Sequence, residues 1–172
     1  MITISKKALL IALCVIFAII PIVVYTAAIV KTIQMDANCI SYFELAADAN
    51  SVEIAEKHLT TGIEYLEAND MTSGTTKIFV NNPKYDIGLW YENLKSAQAQ
   101  LQELKTRDDL TDLEESNALM KLRETLLDES EVTHPLMISF YPNHISWFWT
   151  NILIWLLWIA ALVFGVLASE EK

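Results

Sequence analysis

Two apolar stretches, residues 8–30 and 147–167, frame a middle in which apolar and polar positions alternate with helical spacing. Neither stretch holds an Asp, Glu, Lys, Arg or His. A helix of about 20 apolar residues crosses a hydrocarbon core of roughly 30 Å, so both stretches are expected to be transmembrane helices. The implied layout is a short N-terminus (1–7), transmembrane helix 1 (8–30), a loop domain (31–146), transmembrane helix 2 (147–167) and a C-terminal tail (168–172). The first stretch is longer than the apolar region of about 7–15 residues in a secretory signal. It is therefore expected to stay attached as an anchor. Pro21 in its middle removes one helical hydrogen bond and predicts a kink.

The loop reads as all-α. Val52, Ala55, Leu59, Gly62 and Leu66 recur at spacings of 3 and 4, which is a helical seam. Ile33, Ile40, Phe43, Ala47 and Ile54 follow another phase, and the change falls near Asn50, where Asn50 to Glu53 resembles a capping box. A second seam runs through Ile87, Trp90, Leu94, Ala97, Leu101 and Leu104, with Asp86 placed to cap it. A further apolar set is Leu113, Leu119, Leu122 and Leu126, preceded by a second candidate box, Thr111 to Glu114. Residues 70–85 break the pattern with the turn signals Ser73-Gly74 and Asn81-Asn82-Pro83, around a β-prone piece at 75–80. Residues 131–146, punctuated by Pro135 and Pro142, read as irregular.

Both apolar stretches must meet the same membrane face, so the loop has to leave and return. The preferred reading is an antiparallel hairpin of two long helices, with a membrane-distal tip at 70–91 and a base at 131–146. The alternative is a four-helix bundle broken at Asn50 and near Arg107. Pairing of the 75–80 piece with 131–146 distinguishes them, because a long hairpin holds the two at opposite ends.

Charge then narrows the function. The chain is net −10, and the loop holds 9 Lys and Arg against 20 Asp and Glu, a net of −11. Nucleic acid is excluded as a partner, since its binding needs cations that displace phosphate counterions. The acidic balance also argues against docking on anionic lipid. Lys6, Lys7 and Lys172 flank the apolar stretches from outside, and only Lys31 does so from the loop side. The positive-inside rule thus places both termini in the cytoplasm and the loop outside. The expected compartment is the bacterial inner membrane, with a periplasmic loop. Trp147 and Trp149 are the expected membrane-interface anchors. Trp155 and Trp158 share a face, serving as lipid-facing bulk or as a helix contact.

Candidate chemistry is sparse. There is no nucleophile elbow, phosphate loop, dinucleotide fingerprint or HExxH zinc pattern. His58, His134 and His144 lack the close spacing of zinc ligands. The acidic run from Asp108 to Glu115 lacks the glycine and ligand spacing of a calcium loop. No catalytic residue, metal or cofactor is assigned, and the chain is expected not to be an enzyme. Cys14 and Cys39, about 37 Å apart on a continuous helix, cannot bridge within one chain, which leaves Cys39 for an inter-subunit disulfide or as a free, half-buried thiol. Phe79, Tyr85, Trp90 and Tyr91 form a candidate aromatic interaction surface.

Transmembrane stretches free of ionisable groups lack the usual elements of an ion or proton path. The expected function is a membrane-anchored structural or interaction protein that binds a protein partner or self-assembles, and serves as an accessory subunit of a membrane complex. The alternative is a ligand-sensing module that signals through a separate subunit. Its layout resembles the input half of bacterial chemoreceptors and sensor kinases.

Overall fold

The computed structural model describes residues 5–79, 82–128 and 131–171. The chain is mostly helical and divides into two compact units, one of Met1–Lys31 with Ile145–Lys172 and one of Thr32–His144.

The first unit contains two helices long and apolar enough to cross a membrane. Helix α1 (Lys6–Met35) runs through Pro21, and α6 (His144–Glu170) begins before the second apolar stretch. They pair antiparallel. Lys6 forms an ion pair with Glu171, the Phe17 and Phe164 rings lie 5.6 Å apart, and a Cβ on Gly165 would meet Cys14 Sγ at 3.5 Å. After its first residue, His144, the buried positions of α6 are Ile154, Ala161 and Ala168, spaced by seven. Trp155 and Trp158 are exposed.

The second unit is built around α2 (Ser41–Ala47), α3 (Val52–Ala68), α4 (Ile87–Lys105) and α5 (Asp112–Leu126). These are four short helical segments; two long ones are not formed. A π-helical turn at Asp36–Ile40 leads into α2 and widens the spacing of inward positions to Met35, Cys39 and Phe43. The chain then turns at residues 48–51. The cap of α3 is Ser51, one residue later than the sequence pattern suggests. Ser51 has the extended backbone that an N-cap needs, and its Oγ accepts from the Ile54 amide. The next orphan amide, Val52 N–H, donates to Glu115 Oε1 of α5 at 2.9 Å. Asp86 caps α4 as expected, and Thr111 and Glu114 complete the capping box of α5. Arg107, between α4 and α5, bridges Asp109 and Glu114; it holds the Asp109 carboxyl below its usual range, while the Thr111 amide and hydroxyl, followed by Arg107, lower that of Glu114.

The segments pack in a ring, with α3 against α2 and α4, and α5 against α2 and α4. The α3 seam is buried as expected, with Ile63 added. On α5 only Leu122 and Leu126 are fully buried; Leu113 is 70% exposed because it sits in the first turn, ahead of the helix's contact with the core. Cys39 is fully buried with Sγ near the Gly62 carbonyl, so it is neither half-buried nor placed for an inter-subunit disulfide. At the centre, the Phe43 ring lies on Gly62, where an added Cβ would collide with Phe43 Cε1. The same ring meets Trp90 edge to face at 5.8 Å. Beside this apolar seam runs a polar one between α3 and α4. Gln98, buried in a stripe of leucines, donates to Thr60 Oγ1 and accepts from Lys95. Glu56 accepts from Lys105, Gln102 and Thr60. The Lys105 hydrogen bond is the main reason its carboxyl is held below the ordinary range.

Two outcomes are expected. Gly62→Ala should destabilise the domain by about 1–3 kcal/mol despite alanine's better helix propensity, and Phe43→Ala by about 3–5 kcal/mol; denaturant titration measures both. Glu56's lowered pKa adds stability above the carboxyl's unfolded pKa, and this is lost as pH falls through the folded value. Glu56→Gln should therefore melt below the parent protein at pH 7, by about 1 kcal/mol or less, with the gap closing in acid.

Candidate functional site

The irregular segments of the second unit gather at one end of the ring. Helix α3 ends in a Schellman turn. Asp70 takes the left-handed conformation (φ 55°), the Met71 amide donates to the Leu66 carbonyl at 2.8 Å, and the Met71 side chain is buried. The chain then runs extended against the start of α4. The Ile87 amide donates to Gly74 O, the Thr76 amide to Tyr85 O, and Thr75 bridges Asp86. The β-prone piece thus pairs with residues 85–87 and not with 131–146; Val80 lies outside the described residues. Asn82 caps a 3-10 turn at Pro83–Tyr85.

The other contributor follows α5. Strands β1 (Leu127–Asp128) and β2 (Glu131–Val132) pair antiparallel, Leu127 with Val132 and Asp128 with Glu131. Residues 131–146 are thus only partly irregular, holding β2, a 3-10 turn at Ile138–Phe140 and the start of α6. Tyr141 joins the two segments. Its hydroxyl donates to the Ser73 carbonyl at 2.9 Å, and its ring stacks on His144 at 5.7 Å. Gly74 has φ 93°, and a Cβ there would meet Tyr141 Oη at 2.5 Å, so both backbone and space require glycine. His144 is buried with neither ring nitrogen hydrogen-bonded, a rare arrangement in folded proteins.

The expected tip and base are therefore one cluster. Each short helix brings the chain back after one pass, so the connections at 69–86 and 127–143 share an end, while those at 48–51 and 106–111 share the other.

Several concavities mark the surface. One of about 480 Å³ lies between the start of α4 and a wall of Asp128 and Glu131–Leu136. Trp90, Leu89 and Leu136 give it apolar surface; Lys84, Asp86, Asp128, Glu131 and His134 give it charge and polarity. A second, about 220 Å³, is lined by Thr76, Ile78, Phe79, Tyr85, Leu136 and Met137. A third, about 380 Å³, is a groove between α4 and α5 with Leu101, Leu104 and Leu122 in its lining and Ser96, Ala97, Asn117 and Ala118 beside them. Lys121 reaches Gln100 from α5 to α4 at 3.0 Å.

The four candidate aromatics do not form one patch. Phe79 and Tyr85 share the second concavity. Trp90 lines the first while meeting Phe43 in the core. Tyr91 ties α4 to α3 through a hydrogen bond from its hydroxyl to Glu67 Oε1, which pushes the Tyr91 pKa up to about 12 and lowers that of Glu67. Trp147 and Trp149 lie in the first turns of α6, Trp149 62% exposed and edge-on to Phe148. Sequence reading assigned no site role to Leu136 or Tyr141; the signal was the apolar run between Pro135 and Pro142. His134 is exposed, with Nδ1 3.2 Å from its neighbour's carbonyl, while His144 is buried on Tyr141. Among the described residues no group of three or more His, Cys, Asp or Glu side chains is placed to hold a metal ion. What these surfaces offer is shape, apolar contact and charge. Comparison with known protein families, with curated proteins and with solved structures finds no match for the chain.

If Tyr141 and Gly74 clasp the two segments, Gly74→Ala should free them without unfolding the helices. Hydrogen exchange should then show weaker protection of the Thr76 and Ile87 amides and unchanged protection in α3.

Proposed function

We propose that this chain is a membrane-anchored interaction protein. In this reading α1 and α6 cross a bacterial inner membrane with both chain ends in the cytoplasm. The helical domain stands on the far side and binds a protein partner, as an accessory subunit of a membrane complex. The observation that carries the reading is the groove between α4 and α5. Helices packed in contact lie about 8–10 Å apart; here small side chains line a groove of about 380 Å³ beside a leucine-rich wall. Leu113 and Met120 flank Asn117 along α5, and both are exposed, at 70% and 57%. An incompletely closed seam with small residues and exposed apolar neighbours suits the face of another helix. The lack of Asp, Glu, Lys, Arg and His from both apolar stretches supports anchoring over transport.

A second reading, ligand sensing passed on to a separate subunit, draws on the cavity of about 480 Å³ beside Trp90. That volume falls within the range of small-molecule sites.

Gentle extraction in native lipid particles followed by mass spectrometry decides between them. A defined assembly is expected, with a partner or with further copies. Ala97→Trp or Ala118→Trp, which fill the groove, should abolish that assembly while leaving the helical content intact. Monomer alone, with no crosslinked neighbour in the membrane, would sink the interaction reading. A small molecule retained by that monomer would favour sensing.

A further inference from the structure

The cavity of about 480 Å³ beside Trp90 carries a charge that the fold does not balance. Its lining sets three carboxylates, Asp86, Asp128 and Glu131, against one ammonium, Lys84. Other carboxylates of the domain meet cations, as Glu56 meets Lys105, Glu67 meets Lys95 and Asp48 meets Arg123. Among the described residues none of the three at the cavity forms an ion pair, and neither does Lys84. Asp86 has a local task, since its Oδ1 caps α4. Asp128 and Glu131 have a different setting. They are register partners, directly opposite each other on β1 and β2. Such partners hold their Cβ atoms about 4.5–5.5 Å apart, and like charges at that spacing weaken the pairing. Two carboxylates therefore repel each other on the wall of a cavity, in a hairpin of only two residues per strand.

We propose that this cavity binds an organic cation, an amine or quaternary ammonium carried on an apolar body. The charged head lies between Asp128 and Glu131 and relieves their repulsion. The body lies against Trp90, Leu89 and Leu136. The wall selects this class over its rivals. A bare metal ion needs ligands that converge, and among the described residues no group of three or more His, Cys, Asp or Glu side chains is placed to hold one. An anion meets three carboxylates for one ammonium, in a loop of net −11 whose field draws cations. A neutral molecule leaves the opposed carboxylates as they are. An indole also attracts cations through its ring quadrupole. Trp90 is positioned by its edge-to-face contact with Phe43, and Asp86 by its cap, so part of the site is formed in advance of binding. Every residue of the site belongs to the unit Thr32–His144. The site stands whether or not the groove between α4 and α5 takes a partner, and it names the ligand class that the sensing reading leaves open.

The test uses the full chain in phosphatidylcholine nanodiscs, labelled with fluorotryptophan, with the Trp90 fluorine resonance assigned through Trp90→Phe. The probes are phenylethylammonium, neutral phenylethanol and anionic phenylpropionate. Trp147, Trp149, Trp155 and Trp158 report any partition of a probe into lipid. Phenylethylammonium is expected to shift the Trp90 resonance saturably, with the alcohol and the acid weaker by about tenfold or more. The double variant Asp128→Asn, Glu131→Gln should bind the ammonium about tenfold more weakly. Without a probe it should melt above the parent protein, because the like-charge pair is gone. Ala118→Trp should leave the Trp90 response unchanged, so loss of assembly and loss of cation binding are told apart. A Trp90 resonance that ignores phenylethylammonium, or answers the alcohol equally, would overturn the proposal. So would a double variant that binds the ammonium as the parent does, or that melts below it.

Discussion

The helical domain depends on one close approach, the Phe43 ring lying flat against the backbone of α3 at Gly62. A side chain at position 62 would displace the ring, and the ring is what the neighbouring elements are built upon. Its edge meets Trp90 and so sets where α4 lies, while Cys39, one helical turn earlier, reaches the Gly62 carbonyl. A single large side chain of α2 thus touches two of the other three helical segments. The approach also requires the turn at 48–51. A helix continuing past Ala47 would carry the chain away from Phe43, whereas the break returns α3 along its face.

Much of this was legible because seams repeat. Val52 to Leu66 and Ile87 to Leu104 bury the sides their spacing indicates, and Asp86 and the Thr111–Glu114 box stand at the helix starts. Where the reading slipped, local patterns had close rivals. Asn50 and Ser51 are both good caps, and only backbone conformation chose Ser51. Gln98 looks like a surface residue in a list, yet it is buried because Thr60 and Lys95 satisfy its amide. Leu113 fits the apolar series of α5 yet is itself exposed, while Leu122 and Leu126 of the same series are buried.

The larger revision concerned helix length. Residues 34–69 and 87–126 carry enough helical signal for either two long rods or four short ones, and spacing alone does not separate these. Tertiary contacts do. The hydrogen bond from Tyr141 to Ser73 joins residues 68 apart and is incompatible with a tip and a base at opposite ends. That contact also reorganised the candidate site. Four aromatics chosen for closeness in sequence divide among a core contact, a helix tie and two surface concavities. Leu136, distant in sequence, takes its place beside Phe79.

The ring's connectivity carries a kinetic consequence. Helices α2, α3 and α4 contact their immediate successors, and because closure entropy grows only slowly with length, even the 18-residue connection at 69–86 closes at modest cost. The closing contacts are of another kind: Arg123 with Asp48, and Glu115 with the Val52 amide, span 75 and 63 residues. Synthesis from the N-terminus delivers the elements in the order in which they pack, and α5 arrives last to a three-segment template. Until it does, the apolar side that Leu122 and Leu126 cover stands open, and that interval is when the nascent chain is most exposed to misassociation.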